Sequence, residues 1–193
     1  MRIALESALI VSPTEQGAAL IKAMLHAASI NRLAALTSCG EVRRLLLERD
    51  FDLVVINAPL RDEPGEGLSR HIAARGATQV VLIVASEHFD AMAAACEDAG
   101  VLTVAKPLDK AVFWAALTLA KAAWRKIKAA EDENAQLKQK IEDIRIIDRA
   151  KCLLMSRRGM DEKDAHRYIE KQAMDLRSSK RAVAEGVLRI YEA

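Results

Sequence analysis

The chain has 193 residues, of which 51% are hydrophobic and 29% are charged, the balance of a globular protein with enough apolar residues to form a core. No run of residues approaches the roughly 20 apolar positions that a membrane helix requires. Met1-Arg2 leads into apolar residues without a basic leader or cleavage site, so we expect a cytoplasmic protein that makes no use of a membrane.

Charge is distributed unevenly, although the net charge is only +2. Residues 1–120 carry 11 Lys and Arg against 14 Asp and Glu, residues 121–146 carry 7 against 5, and residues 147–193 carry 11 against 8. This asymmetry predicts that any polyanion is bound by the basic C-terminal segment.

The cysteines Cys39, Cys96 and Cys152 are odd in number and far apart. They form no Cys-x-x-Cys pair and have no histidine cluster nearby, as a zinc site would require. We interpret all three as reduced thiols in the core, and we expect no metal and no cofactor.

Short β-branched runs alternate with helical patterns over the first hundred or so residues. Such alternation predicts a doubly wound α/β domain, whose parallel sheet is covered on both faces, and we assign it to residues 1–118. The predicted strands are residues 8–11, 33–36, 53–56, 80–84 and 102–104. The predicted helices between them are residues 15–28, 39–49, 67–75 and 89–99.

The run DLVVI at residues 52–56 and the Lys106-Pro107 pair after the last strand are distinctive. They resemble the receiver domain of two-component response regulators. In that family an aspartate at the end of the third strand accepts phosphate, helped by an acidic pair after the first strand and a hydroxyl after the fourth. The corresponding residues here are Asn57, the pair Ser12-Pro13, and Ala85 followed by Ser86.

These departures affect the chemistry. Phosphoryl transfer to a carboxylate needs an ionised nucleophile and a Mg²⁺ held by hard oxygen ligands. Asn57 offers an uncharged amide, and Glu15 and Asp62 are the carboxylates near enough in sequence to substitute. We therefore expect a degenerate receiver, neither phosphorylated at residue 57 nor a magnesium site, in which Lys106 hydrogen-bonds Asn57 or a nearby carbonyl.

Control then comes from another protein or from a small ligand. We favour a sensor protein, because no glycine-rich phosphate loop or polar cluster marks a ligand pocket.

From about Phe113 no glycine or proline interrupts the chain before Gly159, which predicts one long helix. Positions 120, 123, 127, 130, 134, 137, 141, 144 and 148 alternate steps of three and four residues, as in a coiled coil. Asparagine at an a position favours two strands in one register, so we predict a dimerisation linker over residues 119–146. A single amphipathic helix packed on its own domain is the alternative. The dimer contacts expected are Ile127, Asn134, Leu137, Ile141 and Ile144.

The C-terminal segment predicts a bundle of three short helices. Gly159 ends one helix, Asp161 is an N-cap candidate for the next, and a serine near residue 178 caps the last.

The segment also carries four sequence blocks. Residues 150–155 read AKCLLM, 159–162 read GMDE, 164–166 read DAH and 172–174 read QAM. In this order and spacing they resemble the ANTAR domain, the RNA-binding module of bacterial transcription antiterminators of the AmiR and NasR type. The resemblance covers residues 146–188, and we assign residues 147–193 to this domain.

The resemblance implies a dimer that binds two short hairpins in a leader mRNA and prevents formation of a transcription terminator. Relatives of this architecture are held inactive by a sensor protein. Cationic side chains and a serine-rich helix start suit RNA phosphates. The RNA-binding residues expected are Lys151, Arg157, Arg158, Arg177, Ser178, Ser179, Lys180 and Arg181.

Two other functions fit a three-helix tail. A DNA-binding regulator would need a recognition helix with base-reading side chains, which Ala182, Val183, Ala184 and Gly186 do not provide. A protein-interaction bundle without nucleic acid is the other alternative. The sequence offers no catalytic residues and hence no enzyme.

Overall fold

Five strands form one parallel sheet in the computed structural model, which describes residues 4–192 and leaves Met1-Arg2 outside the described residues. The strand order across the sheet is β2-β1-β3-β4-β5, and all neighbouring strands are parallel. In chain order the strands are β1 (Ser7–Val11), β2 (Arg32–Leu36), β3 (Leu53–Asn57), β4 (Gln79–Ala85) and β5 (Leu102–Lys106). The predicted doubly wound α/β fold is confirmed.

Four helices connect these strands. They are α1 (Glu15–Ala27), α2 (Cys39–Glu48), α3 (Glu66–Ala73) and α4 (Phe89–Cys96). Short 3₁₀ turns, Ser86–His88 and Glu97–Ala99, flank α4, so the helix predicted to run to residue 99 ends earlier. The Thr14 side chain caps α1 by accepting a hydrogen bond from the Gly17 amide, and Ser38 caps α2 from the Glu41 amide.

The sheet buries a separate core on each face. Alternate strand residues such as Ile10 and Val55 face α1, while Leu9 and Val54 face α2, α3 and α4. All four side chains are fully buried, as expected for a parallel sheet covered on both sides.

A helix of 49 residues, α5 (Lys110–Arg158), follows the last strand. It begins three residues before Phe113 because the Asp109 carboxylate accepts hydrogen bonds from the amides of Ala111 and Val112. Ala120, with Phe113 and Trp124, is buried in the core on the α1 face of the sheet. The predicted dimer seam therefore does not include Ala120, which packs within its own domain.

The chain divides into two compact units, Met1–Ala130 and Glu131–Ala193. In the second unit, the end of α5 packs with α6 (Glu162–Asp175) and α7 (Lys180–Glu192), as predicted for a three-helix bundle. The three-part division at residues 118 and 146 stays a prediction. The core of this bundle contains Ala150, Leu154, Ala165, Ile169, Ala173, Val183, Ala184 and Val187.

The ends of these helices follow local chemistry. Gly159, with a φ of 65°, follows the last residue of α5. The Asp161 carboxylate accepts a hydrogen bond from the Asp164 amide at the start of α6, and the Ser179 hydroxyl accepts one from Ala182 at the start of α7.

The three cysteines are free thiols, but they differ in burial. Cys39 and Cys96 are buried as predicted, whereas Cys152 is exposed and the prediction that it lies in a core is wrong. The reason is helical geometry: Cys152 lies two residues from both Ala150 and Leu154, which are buried, and therefore on the opposite side of α5. None of the helices within residues 4–192 combines the length and apolarity that crossing a bilayer would require.

Candidate functional site

The receiver-like site lies where the carboxyl ends of β1 and β3 meet. Asn57 ends β3, and its side-chain amide donates a hydrogen bond of 3.1 Å to the hydroxyl of Ser12, the residue after β1. The Ser12 hydroxyl donates in turn to the Thr14 carbonyl oxygen at 3.0 Å. Two of the residues at the family's carboxylate positions, Asn57 and Ser12, are thus hydrogen-bonded to each other.

Gly17 packs closely over this pair. A Cβ atom at residue 17 would lie 2.6 Å from Nδ2 of Asn57 and 2.8 Å from Oγ of Ser12, both inside van der Waals contact. The first turn of α1 therefore approaches the Asn57–Ser12 pair at a distance that only glycine permits.

Lys106 ends β5 and is half-buried beside the same pair. Its ammonium donates to the carbonyl oxygen of Ala58, while the Ser86 hydroxyl donates to the backbone carbonyl of Lys106 itself. The sequence predicts that Lys106 hydrogen-bonds either Asn57 or a nearby carbonyl. In the structure its partner is a carbonyl, that of Ala58. Burial lowers the pKa of Lys106, because its charged form loses hydration.

The polar groups of this site are poor ligands for Mg²⁺. The ion prefers oxygen ligands with carboxylates among them, whereas Asn57 directs its NH₂ group at Ser12. Asp62 uses its carboxylate elsewhere: both oxygens accept hydrogen bonds of 3.0 Å, from the amides of Cys39 and Gly40 at the start of α2. These bonds lower the pKa of Asp62, and they remove it as a substitute ligand.

Cys39, Asp62 and Glu63 place possible ligand atoms within 4.8 Å of one another. Burial, with the negative charges of Glu63 and Asp62, raises the pKa of the Cys39 thiol to about 12. Glu63 pairs with Arg43 through two hydrogen bonds. The thiol stays protonated at neutral pH, and this group is a cap and an ion pair rather than a metal centre.

The C-terminal unit contains the eight residues predicted to bind RNA, and four of them, all cationic, form side-chain contacts between its helices. Lys151, with 15% of its side chain exposed, pairs with Asp148 at 2.8 Å and with Glu162 at 3.4 Å. Arg158 donates from Nε to the Tyr191 hydroxyl at 2.5 Å. These contacts connect α5 to α6 and α7.

Lys180 and Arg181 are also paired. Lys180 binds Glu170 of α6, while Arg181 lies 2.7 Å from Asp143 of α5 and 2.8 Å from Glu185. Hydrogen bonds to both carboxylates raise the pKa of Arg181 further above its usual value. The charges of Lys151, Lys180 and Arg181 are therefore largely neutralised by neighbouring carboxylates.

The other four predicted residues are Arg157 on α5 and the run Arg177, Ser178 and Ser179. This run lies in the α6–α7 corner, by which we mean residues 174–179. Arg177 has a left-handed backbone with a φ of 48°. Arg157 and Arg177 are exposed and make no ion pair or hydrogen bond with a side chain within the described range.

Two exposed apolar residues in the α6–α7 corner were missed by sequence reasoning. Met174 is 74% exposed and Leu176 is 65% exposed, on either side of Asp175 and next to Arg177. Met174 follows the buried Ala173, but successive residues lie about 100° apart on a helix, so its side chain does not share the packed face. Exposed large apolar side chains beside unpaired cations indicate an interaction surface.

A row of three cations on α6 was also missed. Lys163, Arg167 and Lys171 are exposed and spaced four residues apart, so they share one face of the helix. Their spacing of four residues is the feature of the sequence that indicates a shared helix face.

The predicted dimer residues lie on the surface of α5. Exposure is 38% for Ile127 and between 49% and 58% for Leu137, Ile141 and Ile144. Asn134 is also exposed. Large apolar side chains exposed in a row along a long helix are typical of a helix that packs against a partner.

The sequence of this chain is similar to a known domain family and to known regulatory proteins. Residues 135–188 match the ANTAR domain family. The chain is 31% identical over 137 residues to Transcriptional regulatory protein PdtaR of Mycobacterium tuberculosis, covering 71% of this chain and 67% of that protein. It is 33% identical over 89 residues to the Aliphatic amidase regulator of Pseudomonas aeruginosa, covering 46% of this chain and 44% of that one.

Solved structures resemble the sheet unit. The signal receiver domain of an HD domain-containing protein from Pseudomonas fluorescens Pf-5 aligns with a TM-score of 0.58 and 20% identity, over 67% of this chain and 96% of that one. A two-component response regulator from Clostridium difficile aligns with a TM-score of 0.52 and 18% identity, over 60% and 94%. Identities this low bear on the fold alone.

The sheet unit therefore has the fold of receiver domains. The chain belongs to the ANTAR-domain response regulators, a family of transcription antitermination regulators rather than enzymes.

Proposed function

We propose that this protein is a cytoplasmic homodimer that binds hairpin loops in a leader mRNA and prevents formation of a transcription terminator. A partner protein acting on the receiver domain controls it, and phosphorylation does not. The observation that carries the RNA part of this proposal is the α6–α7 corner, where an unpaired arginine and two exposed apolar side chains lie together within the ANTAR domain.

The chemistry of the corner suits an RNA loop. Protein recognition of RNA usually targets unstacked bases, whose flat faces pack on aromatic, apolar or guanidinium surfaces. Met174 and Leu176 provide apolar surface, and Arg177 provides a guanidinium. The start of α7 presents backbone N–H groups, to which a phosphate oxygen binds favourably.

The eight predicted RNA contacts then separate into two roles. Arg157, Arg177, Ser178 and Ser179 contact RNA. Lys151, Arg158, Lys180 and Arg181 hold the three helices in place through their ion pairs and hydrogen bonds. The second group affects RNA binding only by stabilising the bundle.

Dimerisation supplies the second hairpin site. The exposed seam of α5 packs against the same seam of a second copy, with Asn134 at an a position. Two corners in one dimer bind two loops of one RNA molecule, so the second contact is intramolecular and increases the overall affinity.

Control without phosphate follows from the receiver site. Asn57 cannot form an acyl phosphate, and its neighbours do not suit magnesium. A sensor protein that binds the receiver domain more tightly in one state of the dimer than in another is sufficient to regulate it.

DNA reading by α7 is less favourable. Val183 and Ala184 are buried in the bundle core, so they do not face a groove. Gly186 and Ala182 lack side chains that distinguish bases.

Binding to a two-hairpin leader RNA and to a DNA duplex of matching sequence, each at low and moderate salt, tests the proposal. We expect loop-dependent RNA binding that falls with salt, and much weaker binding to the duplex. Equal or stronger duplex binding would support a DNA regulator. Binding to neither would support a protein-interaction module.

The variant Arg177→Ala tests the corner. We expect roughly tenfold weaker RNA binding and a shallower salt dependence, since one phosphate contact is lost. Arg44→Ala, an exposed arginine on α2 of the receiver domain, is the matched control and should bind like the unchanged protein. Equal affinity of both variants would contradict the role of the corner.

A further inference from the structure

We propose that the degenerate receiver site is an anion pocket, which binds the carboxylate head of a small organic acid directly and without Mg²⁺. The pocket is a cavity of about 240 Å³ at the carboxyl edge of the sheet, beside the Asn57–Ser12 pair. Its lining residues are Gly17, Leu20, Ile21, Asn57, Ile83, Lys106, Pro107 and Leu108.

The charge of this cavity is positive. Lys106 is the one charged residue among the described residues that line it, and no carboxylate is in that lining. The substitutions that leave Asn57 and Ser12 where the receiver family has acidic residues remove negative charge but leave the lysine. A site that needs a metal ion to balance its carboxylates has therefore become one that attracts an anion by itself.

Hydrogen-bond donors also remain available. The ammonium of Lys106 has three N–H groups, and its recorded partner is the carbonyl oxygen of Ala58. The Asn57 amide has two N–H groups, and its recorded partner is the Ser12 hydroxyl. Because both side chains line the same cavity, we assign their remaining N–H groups as the donors to the two oxygens of one carboxylate.

Nearby acidic groups do not compete for Lys106. Asp62 binds the amides at the start of α2. Glu15 is exposed at the first residue of α1 and forms no hydrogen bond or ion pair in the part of the chain that the structure describes. Arg61, which is not in the lining, donates a hydrogen bond of 3.3 Å to the carbonyl oxygen of Pro13, the residue after Ser12.

The rest of the lining selects the body of the ligand. Leu20, Ile21, Ile83 and Leu108 are aliphatic, so they favour a hydrocarbon chain over a second charged group. The cavity is smaller than the pockets that hold drug-sized molecules, which limits the chain to a few carbons. A short aliphatic carboxylate fits this combination of charge, donors and volume better than inorganic phosphate.

No polar cluster in the sequence indicates this pocket. Residues 17, 57 and 106 are far apart in the sequence, and only the parallel sheet brings the ends of β3 and β5 together under α1. The pocket does not depend on RNA binding, and its test uses no RNA.

Titration of the ¹⁵N-labelled full-length protein with butyrate, in the presence of a chelator, tests the pocket. We expect saturable shifts of the Asn57 side-chain amide signals, with a dissociation constant on the order of millimolar for a ligand of about six non-hydrogen atoms. Inorganic phosphate at equal concentration should bind more weakly, because it lacks an apolar body. Binding of phosphate as tight as that of butyrate, or binding that requires added Mg²⁺, would overturn the proposal.

Two variants separate the pocket from general effects on folding. Lys106→Met should weaken butyrate binding at least about tenfold, while Lys110→Met, which changes an exposed lysine outside the lining, should leave it unchanged. Asn57→Asp changes the charge with almost no change in shape, and it should abolish binding in a protein that remains folded. Butyrate binding retained by the Asn57→Asp variant would overturn the proposal even if the Lys106→Met variant does not fold.

Discussion

Arg158, the last residue of α5, donates from Nε to the hydroxyl of Tyr191 in α7 at 2.5 Å. Its guanidinium also lies 5.4 Å from the ring centre of Tyr168 in α6 and 5.9 Å from that of Tyr191. One side chain thus contacts both other helices of the bundle. These contacts give the only two tyrosines of the chain a structural role and leave neither as an open platform for bases.

We predict that Arg158→Gln and Tyr191→Phe each speed amide hydrogen exchange in α6 and α7, because each removes the same hydrogen bond. The double variant should lose less protection from exchange than the two single variants lose together, because both substitutions remove the same interaction. Exchange in the sheet unit should not change.

Hydrogen–deuterium exchange of the full-length protein measures this prediction, and RNA affinity is the second readout. If Arg158→Gln weakened RNA binding while exchange in α6 and α7 stayed the same, Arg158 would be an RNA contact and its assignment to the bundle would be incorrect.

The ion pairs of the bundle show what sequence patterns reveal and what they miss. The pairs Lys151–Asp148 and Arg181–Glu185 lie three and four residues apart, so helical spacing alone indicates them. Arg181 also binds Asp143, which is 38 residues away. Such a partner becomes visible only when two helices are packed together, which is why a basic cluster was read as an RNA surface.

Fold prediction was more complete for the sheet. Buried β-branched runs in a parallel sheet are continuous and bounded by turns, so each predicted strand is present, although it is one or two residues shorter than the observed strand. The packing of the first turns of α5 could not be predicted from the sequence. Apolar residues spaced by three and four positions occur both in a helix that packs on a partner helix and in one that packs on its own sheet. Ala120 has this spacing and packs on its own sheet.

Gly17→Ala should destabilise the sheet unit. Alanine favours a helix over glycine by about 1 kcal/mol, but overpacking a filled site costs about 1–3 kcal/mol. The added methyl group would meet Asn57 and Ser12, which hold each other in place by a hydrogen bond, so we expect the steric cost to exceed the gain. The net loss expected is on the order of 1 kcal/mol.

Gly67→Ala in α3 is the matched control for this change. Apart from its chain neighbours and the backbone of its own helix, no described atom would lie within 4 Å of a Cβ at residue 67, so the substitution should be neutral or stabilise by about 0.5–1 kcal/mol. Urea unfolding followed by circular dichroism compares the two variants. Equal stability changes for both would contradict the close approach of α1 to Asn57.

Phosphorylation gives a third prediction. Incubation with acetyl phosphate and Mg²⁺ should add no acyl phosphate at residue 57, because an amide is not a nucleophile of this kind and its partner Ser12 supplies no carboxylate for the metal. Mass spectrometry of the intact protein measures this, with a receiver domain that carries the family aspartate as the positive control. A phosphoryl adduct at residue 57 would refute the degenerate site.

Asn134→Leu is the test of the seam on α5. If two copies pack through this seam, the asparagine limits the pairing to two strands in one register, and leucine at the same a position removes that restriction while adding apolar surface. We therefore expect a mixture of oligomeric states, or a larger oligomer, in sedimentation equilibrium. Gln136→Leu, two residues further along the helix and outside the seam, adds the same side chain and should leave a dimer. An unchanged dimer for the Asn134→Leu variant would argue against the seam, and a monomeric unmodified protein would exclude it.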